Sequence, residues 1–134
     1  MNLFLTEDGV LKLGYYGLTT QAECYAIRKM DCDGVRSFAP EVFRGAYEMK
    51  SDVWSLGTTL LELMGIRPYY WNNYRRLPTK NGYFESPFDE DDIESKELSC
   101  FLEKCFEEIE ERSSVNELVN VSVMRWEIMN SVYL

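Results

Sequence analysis

Two short stretches decide the fold of this chain: Ala39-Pro40-Glu41, and Ser51-Asp52-Val53-Trp54-Ser55-Leu56-Gly57. The second stretch opens a predicted helix, with Ser51 or Asp52 as its N-cap and an end near Met64, followed by Gly65. Apolar residues recur along it at three- and four-residue spacing, and the remaining positions are hardly polar. A helix that is apolar on most sides is usually buried, so we expect it at the centre of the fold.

Upstream of this helix, the pattern predicts a β-hairpin and then a long loop. Leu3-Phe4-Leu5 and Val10-Leu11-Lys12-Leu13 are short apolar runs, and Thr6-Glu7-Asp8-Gly9 between them contains an Asp-Gly turn signal. Residues 14–38 have no sustained period and several glycines. Ordered loops of that length are often functional.

Downstream of the central helix, the chain is predicted to be mostly helical. Periodicity and capping residues indicate further helices at Asn72 to Leu77, Ser95 to Ile109 and Ser113 to Val121, with a tail compatible with a helix. The turn-rich stretch from Tyr69 to Phe88 and the acidic run from Asp89 to Glu94 are predicted to be mainly loops, and the acidic run to be solvated.

Composition fits one folded domain and excludes some partners. The chain has 134 residues, of which 46% are hydrophobic and 14% aromatic, enough for a real core. Its net charge of −9 leaves no basic face for phosphate contacts, so we expect no nucleic-acid partner. The longest apolar stretch, Leu56 to Ile66, is too short and too polar to span a bilayer, so we expect no membrane partner either.

The chain carries four cysteines and no histidine. The cysteine spacings form no zinc-binding pairs, and no secretory signal is visible at the N-terminus. We therefore expect reduced thiols and a cytoplasmic location. Cys100 and Cys105 are predicted to be core thiols.

The two opening stretches resemble the A-P-E and D-x-W-S-x-G motifs in the large lobe of protein kinases. With the hairpin upstream and Arg112 downstream, the resemblance covers roughly residues 2–120. It implies a protein-kinase-like large (C-terminal) lobe, mainly α with a short β-hairpin near the N-terminus. Residues 1–134 would be a partial kinase-like domain, with residues 15–41 equivalent to the activation segment. The sequence around Leu60 to Leu63 is similar to Ste20-like serine/threonine kinases.

The resemblance also implies which catalytic parts to look for, and few are present. Family members carry H-R-D-x-x-x-x-N before the hairpin, and Asn2 falls on its metal-binding asparagine, so the rest would precede residue 1. Phe4 falls where family members place a side chain against the adenine ring of ATP, as the floor of the nucleotide site. Tyr15 stands where the D-F-G aspartate should hold magnesium, and a neutral phenol is a poor ligand for it. No catalytic residue is assigned. Two simpler interpretations stay open: Asn2 is an ordinary terminal residue, and Tyr15 only packs against its neighbours.

Three matching residues are structural in the family. The A-P-E glutamate pairs with a late arginine, so Glu41 and Arg112 are expected to form a buried ion pair. The aspartate of the second motif hydrogen-bonds the catalytic-loop backbone, a role that would fall on Asp52.

From these matches we expect a non-catalytic kinase-like module, a pseudokinase, that acts through protein partners and needs no cofactor. One alternative is part of an ATP-dependent serine/threonine kinase whose missing motifs lie upstream, with ATP and magnesium as its ligands. Another is a chain that is unstable alone. A hairpin stripped of a neighbouring lobe would expose an apolar face, which usually marks an interaction surface or an aggregation risk.

Overall fold

The N-terminal hairpin forms as predicted. The computed structural model describes residues 3–14, 37–68, 79–80, 83–84 and 86–121. Strand β1 (Leu3–Leu5) pairs antiparallel with β2 (Leu11–Leu13), with Leu3 opposite Leu13 and Leu5 opposite Leu11. The turn is closed by a 2.9 Å hydrogen bond from the Thr6 amide to the Val10 carbonyl. Gly9 adopts a φ of 80°, which glycine tolerates best.

The two motif stretches form consecutive helices, α1 (Pro40–Phe43) and α2 (Met49–Leu63). Proline at the first position of α1 suits a helix start because its missing N–H would be unpaired there. The predicted cap of α2 was wrong, since the N-cap is Glu48 and the helix begins before Ser51. The Glu48 amide donates to Ser51 Oγ at 3.3 Å, so the serine acts from inside the first turn.

Helix α2 ends where the sequence indicates. Its last residue is Leu63, and Gly65 follows with a φ of 77°, a left-handed conformation typical of helix C-termini. The Ile66 amide donates to the Leu61 carbonyl at 2.9 Å, which satisfies a carbonyl that the helix leaves free.

The later helices are shorter than the pattern predicted. Helix α3 spans Lys96–Cys105 with Ser95 as its N-cap, and α4 spans Val115–Val119 with Ser114 as its N-cap. Helix α3 stops four residues before the predicted Ile109. The helix ends where Phe106 leaves the helical conformation, with φ −110° and ψ 12°, and where its amide also donates to the Glu103 carbonyl at 3.0 Å, three residues earlier.

The acidic run is exposed, as predicted, but it forms a short 3₁₀ helix, Glu90–Asp92, rather than a plain loop. Ile93 directly after it is buried in the core. Among the described residues, no helix is long and apolar enough to cross a membrane.

A second hairpin was not predicted. Strand β3 (Thr79–Lys80) pairs antiparallel with β4 (Tyr83–Phe84). The missed signal is Asn81-Gly82, which separates the two strands in the sequence and is among the strongest short hairpin signals. The predicted helix from Asn72 to Leu77 and the predicted C-terminal tail lie outside the described residues.

The core gathers around α2 and α3. Trp54, Leu61, Phe101 and Leu102 have no exposed surface. The expectation that α2 is buried on most sides was wrong for one stripe, because Leu56 is 39% and Leu63 64% exposed. The buried hydrophobic residues of the described chain are Ala39, Val42, Val53, Trp54, Leu61, Phe88, Ile93, Phe101, Leu102, Cys105, Phe106 and Leu118.

The two cysteines on α3 differ in environment. Both are free thiols, but Cys105 is buried and Cys100 is exposed, so the prediction of a core thiol was wrong for Cys100. Burial raises the pKa of Cys105 to about 12, against a smaller opposite effect of the Arg112 charge. Its thiol therefore stays protonated and unreactive at neutral pH.

Candidate functional site

A buried ion pair joins Glu41, in α1, to Arg112, in the segment after α3. Arg112 Nη1 lies 2.7 Å from Glu41 Oε1, and Arg112 Nη2 donates to Glu41 Oε2 at 3.2 Å. The arginine is 1% and the glutamate 6% exposed. This two-bond geometry is the strongest that a carboxylate and a guanidinium can form, and it confirms the predicted pair.

Further hydrogen bonds reach this pair from its surroundings. Arg112 Nη1 donates to the Lys50 carbonyl at 3.0 Å, and Arg112 Nε donates to the Glu107 carbonyl at 3.1 Å. On the other side, Ser51 Oγ donates to Glu41 Oε1 at 2.8 Å. One arginine thus ties together α1, the first turn of α2 and the segment after α3. Burying charges is tolerable only when they are satisfied in this way.

Trp54 packs against the ion pair. The Arg112 guanidinium carbon lies 5.0 Å from the centre of the Trp54 ring, a cation–π distance. On the same tryptophan, the Phe106 ring makes an edge-to-face contact at 4.9 Å between centroids. We name Glu41, Ser51, Trp54, Phe106 and Arg112 the clamp. Sequence reasoning found the charged pair but missed the serine and both rings.

The electrostatics of the clamp favour the ionised glutamate. Desolvation by burial raises the pKa of Glu41, but hydrogen bonds from Arg112, from its own backbone and from Ser51 outweigh that effect. The pKa of Glu41 therefore lies below its ordinary value. A carboxylate held this way stabilises the fold and is not a proton donor at neutral pH.

The glycine of the second motif has a steric role that the sequence alone did not reveal. A Cβ placed on Gly57 would lie 2.7 Å from Phe106 Cζ and 2.9 Å from Cys105 Cβ. Real Cβ atoms essentially never approach other heavy atoms this closely. Gly57 therefore lets α2 and the end of α3 approach each other at the side of the clamp.

The serine of the same motif ties the helix to the segment before A-P-E. Ser55 Oγ donates to the Ser37 carbonyl at 2.9 Å and lies 3.3 Å from the Ser51 carbonyl. This bond fixes the chain that enters α1 against the first turns of α2. The motif thus supplies contacts at Trp54 and Gly57, both next to Phe106, and at Ser55, which bonds the Ser37 carbonyl.

Asp52 does not join the clamp. It is exposed in the first turn of α2, where its negative charge interacts favourably with the helix dipole. Within the described ranges no hydrogen bond of its carboxylate was found. Its predicted bond to a catalytic-loop backbone stays a prediction.

The hairpin carries the remaining predicted site residue, Phe4. Phe4 is 57% exposed, and its ring packs over Gly14, where an added Cβ would lie 2.6 Å from Phe4 Cε2. An exposed aromatic face is compatible with a floor for a planar ligand, which stays a prediction. Asn2 and Tyr15, the two positions predicted from metal-binding motifs, lie outside the described residues.

Comparison with known proteins agrees with the kinase resemblance of the two motifs. A sequence model of the protein kinase domain matches residues 1–124. Over 109 residues the chain is 32% identical to mitogen-activated protein kinase kinase kinase 1b of Physcomitrium patens. That alignment covers 79% of this chain and 14% of the relative. Over 132 residues it is 30% identical to serine/threonine-protein kinase Nek9 of Xenopus laevis, covering 94% and 14%. The chain belongs to the protein kinase family.

A third relative widens the comparison. Over 131 residues the chain is 34% identical to serine/threonine-protein kinase BCK1/SLK1/SSP31 of Saccharomyces cerevisiae, covering 89% of this chain and 9% of that protein. The chain thus spans about a seventh of the length of the first relatives that it matches, at 14% of each.

Proposed function

We propose that this chain is a non-catalytic kinase-like module, equivalent to the large lobe, that works through protein contacts. The observation that carries the proposal is Tyr15, at the position of the D-F-G aspartate. Phosphoryl transfer depends on positioned magnesium ions that neutralise charge on the phosphates. A phenol, neutral below a pKa of about 10, cannot replace a carboxylate in that role.

The roles of the retained motif residues support the proposal. Glu41 and Gly57 make buried contacts, and Ser55 bonds the segment before α1. They hold helices together, a task that survives the loss of catalysis. Selection for a binding scaffold would keep these residues and release the D-F-G aspartate.

A titration with ATP and magnesium, followed by calorimetry, tests the proposal. We expect no magnesium-dependent heat for the chain, and the same flat result for a Tyr15→Phe control, because neither aromatic side chain is a metal ligand. Tyr15→Asp provides the matched gain of a carboxylate. Saturable, magnesium-dependent binding of ATP at micromolar concentration by the parent chain would overturn the proposal.

A second candidate function is part of an active ATP-dependent serine/threonine kinase. The observation that favours it is the small share of its kinase relatives that the chain spans. In that case Asn2 would be a magnesium ligand, Phe4 would floor the adenine, and the remaining catalytic groups would come from upstream residues. An upstream reading frame that encodes the Gly-rich, lysine and H-R-D motifs would favour this candidate.

The proposed partners are proteins, and the proposed location is the cytoplasm. A net charge of −9 supports basic protein surfaces over nucleic acid. The exposed leucines of the hairpin provide an apolar surface of the kind that marks protein interaction sites, with Leu5 61%, Leu11 63% and Leu13 64% exposed.

A further inference from the structure

We draw no further inference here: the strongest candidate, the cavity of about 500 Å³ between Ser86 and the segment after α3, is lined mainly by Glu103, Glu107, Glu108 and Glu111, and it is an acidic cluster with nothing to show what would bind there, because the Phe106 ring at its wall is 1% exposed and the unpartnered Ser86 hydroxyl has less than 1 Å² of accessible surface, so a ligand in the cavity reaches neither.

Discussion

A single arginine holds three separate segments together: α1, the first turn of α2 and the segment after α3. Arg112 bonds a carboxylate that lies 71 residues earlier in the sequence, and it also bonds two backbone carbonyls from different segments. Its planar fork allows all these contacts at once and leaves its face for Trp54. A lysine would keep the charge but lose this pattern of simultaneous bonds.

Replacing this arginine should strongly destabilise the chain. Arg112→Ala leaves Glu41 buried and unpaired, which costs about 3–5 kcal/mol in comparable cases. For a chain of this size, that loss corresponds to a drop in Tm of roughly 10 °C or more. Thermal unfolding followed by circular dichroism gives the answer, with Arg44→Ala as an exposed arginine control that should shift Tm little. An unchanged Tm for Arg112→Ala would contradict the clamp.

The same pair predicts how stability depends on acidity. The folded pKa of Glu41 is lowered, so its contribution to stability is complete above the unfolded pKa of about 4.3. That contribution is lost as the pH falls from there through the folded pKa. In Glu41→Gln, urea midpoints should therefore fall less steeply below about pH 4.3 than in the parent chain. The control is Glu62→Gln, which removes an exposed carboxylate outside the pair and should fall with pH as the parent chain does. If the pair did not form, the urea midpoint of Glu41→Gln would also fall with pH as steeply as that of the parent chain.

Single residues were predictable where the family resemblance supplied a partner. Glu41 and Arg112 carried such a match, and the structure confirmed their pair. Ser51 was misassigned as a helix cap because its decisive contact, with Glu41, comes from a residue ten positions away. Trp54 gave no local sign of its arginine neighbour, since aromatic residues pack in most buried helices.

At the scale of helices, the contact between α2 and α3 depends on a missing side chain. Gly57 faces Phe106 and Cys105 so closely that no Cβ fits without movement. Glycine costs a helix interior about 1 kcal/mol relative to alanine, so its presence at this position needs a compensating reason. The close packing of the two helices is that reason.

Gly57→Ala tests the helix contact. The alanine improves helix propensity but forces Phe106 to move, and overpacking a tight core costs about 1–3 kcal/mol. We expect net destabilisation, measured by urea unfolding. A double-mutant cycle with Phe106→Leu should show strong non-additivity, because the smaller side chain relieves the clash. Additive effects, or a more stable Gly57→Ala chain, would show that the helices are not so close.

Helix existence followed from periodicity, but helix ends did not. Helix α2 begins earlier than predicted because Glu48 and Ser51 act together across its first turn. Helix α3 ends early because the backbone of Phe106 leaves the helical conformation and its amide bonds the Glu103 carbonyl, three residues earlier. Both ends are set by contacts outside the apolar pattern, so no reading of that pattern could place them. The second hairpin, by contrast, had its signal in Asn81-Gly82.

At the scale of the molecule, the retained motifs stabilise the fold, and the residue expected to bind magnesium is not among them. Ala39-Pro40-Glu41 and Ser51 to Gly57 hold the helices together through the clamp and the Gly57 contact. At the position of the family's magnesium-binding aspartate, this sequence has Tyr15. The family was therefore predictable from motif residues that hold the helices together. The proposed loss of catalysis depends instead on Tyr15 alone, which is not one of those motif residues.

Thermal unfolding of the chain with and without ATP and magnesium tests that central claim most directly. A site that binds nucleotide at about 100 times its dissociation constant would add about 2.7 kcal/mol of stability, a rise of several degrees in Tm. We predict the same Tm with magnesium and ATP, with ATP and a chelator, and with neither. A rise that requires both magnesium and ATP would contradict the account of a non-catalytic module.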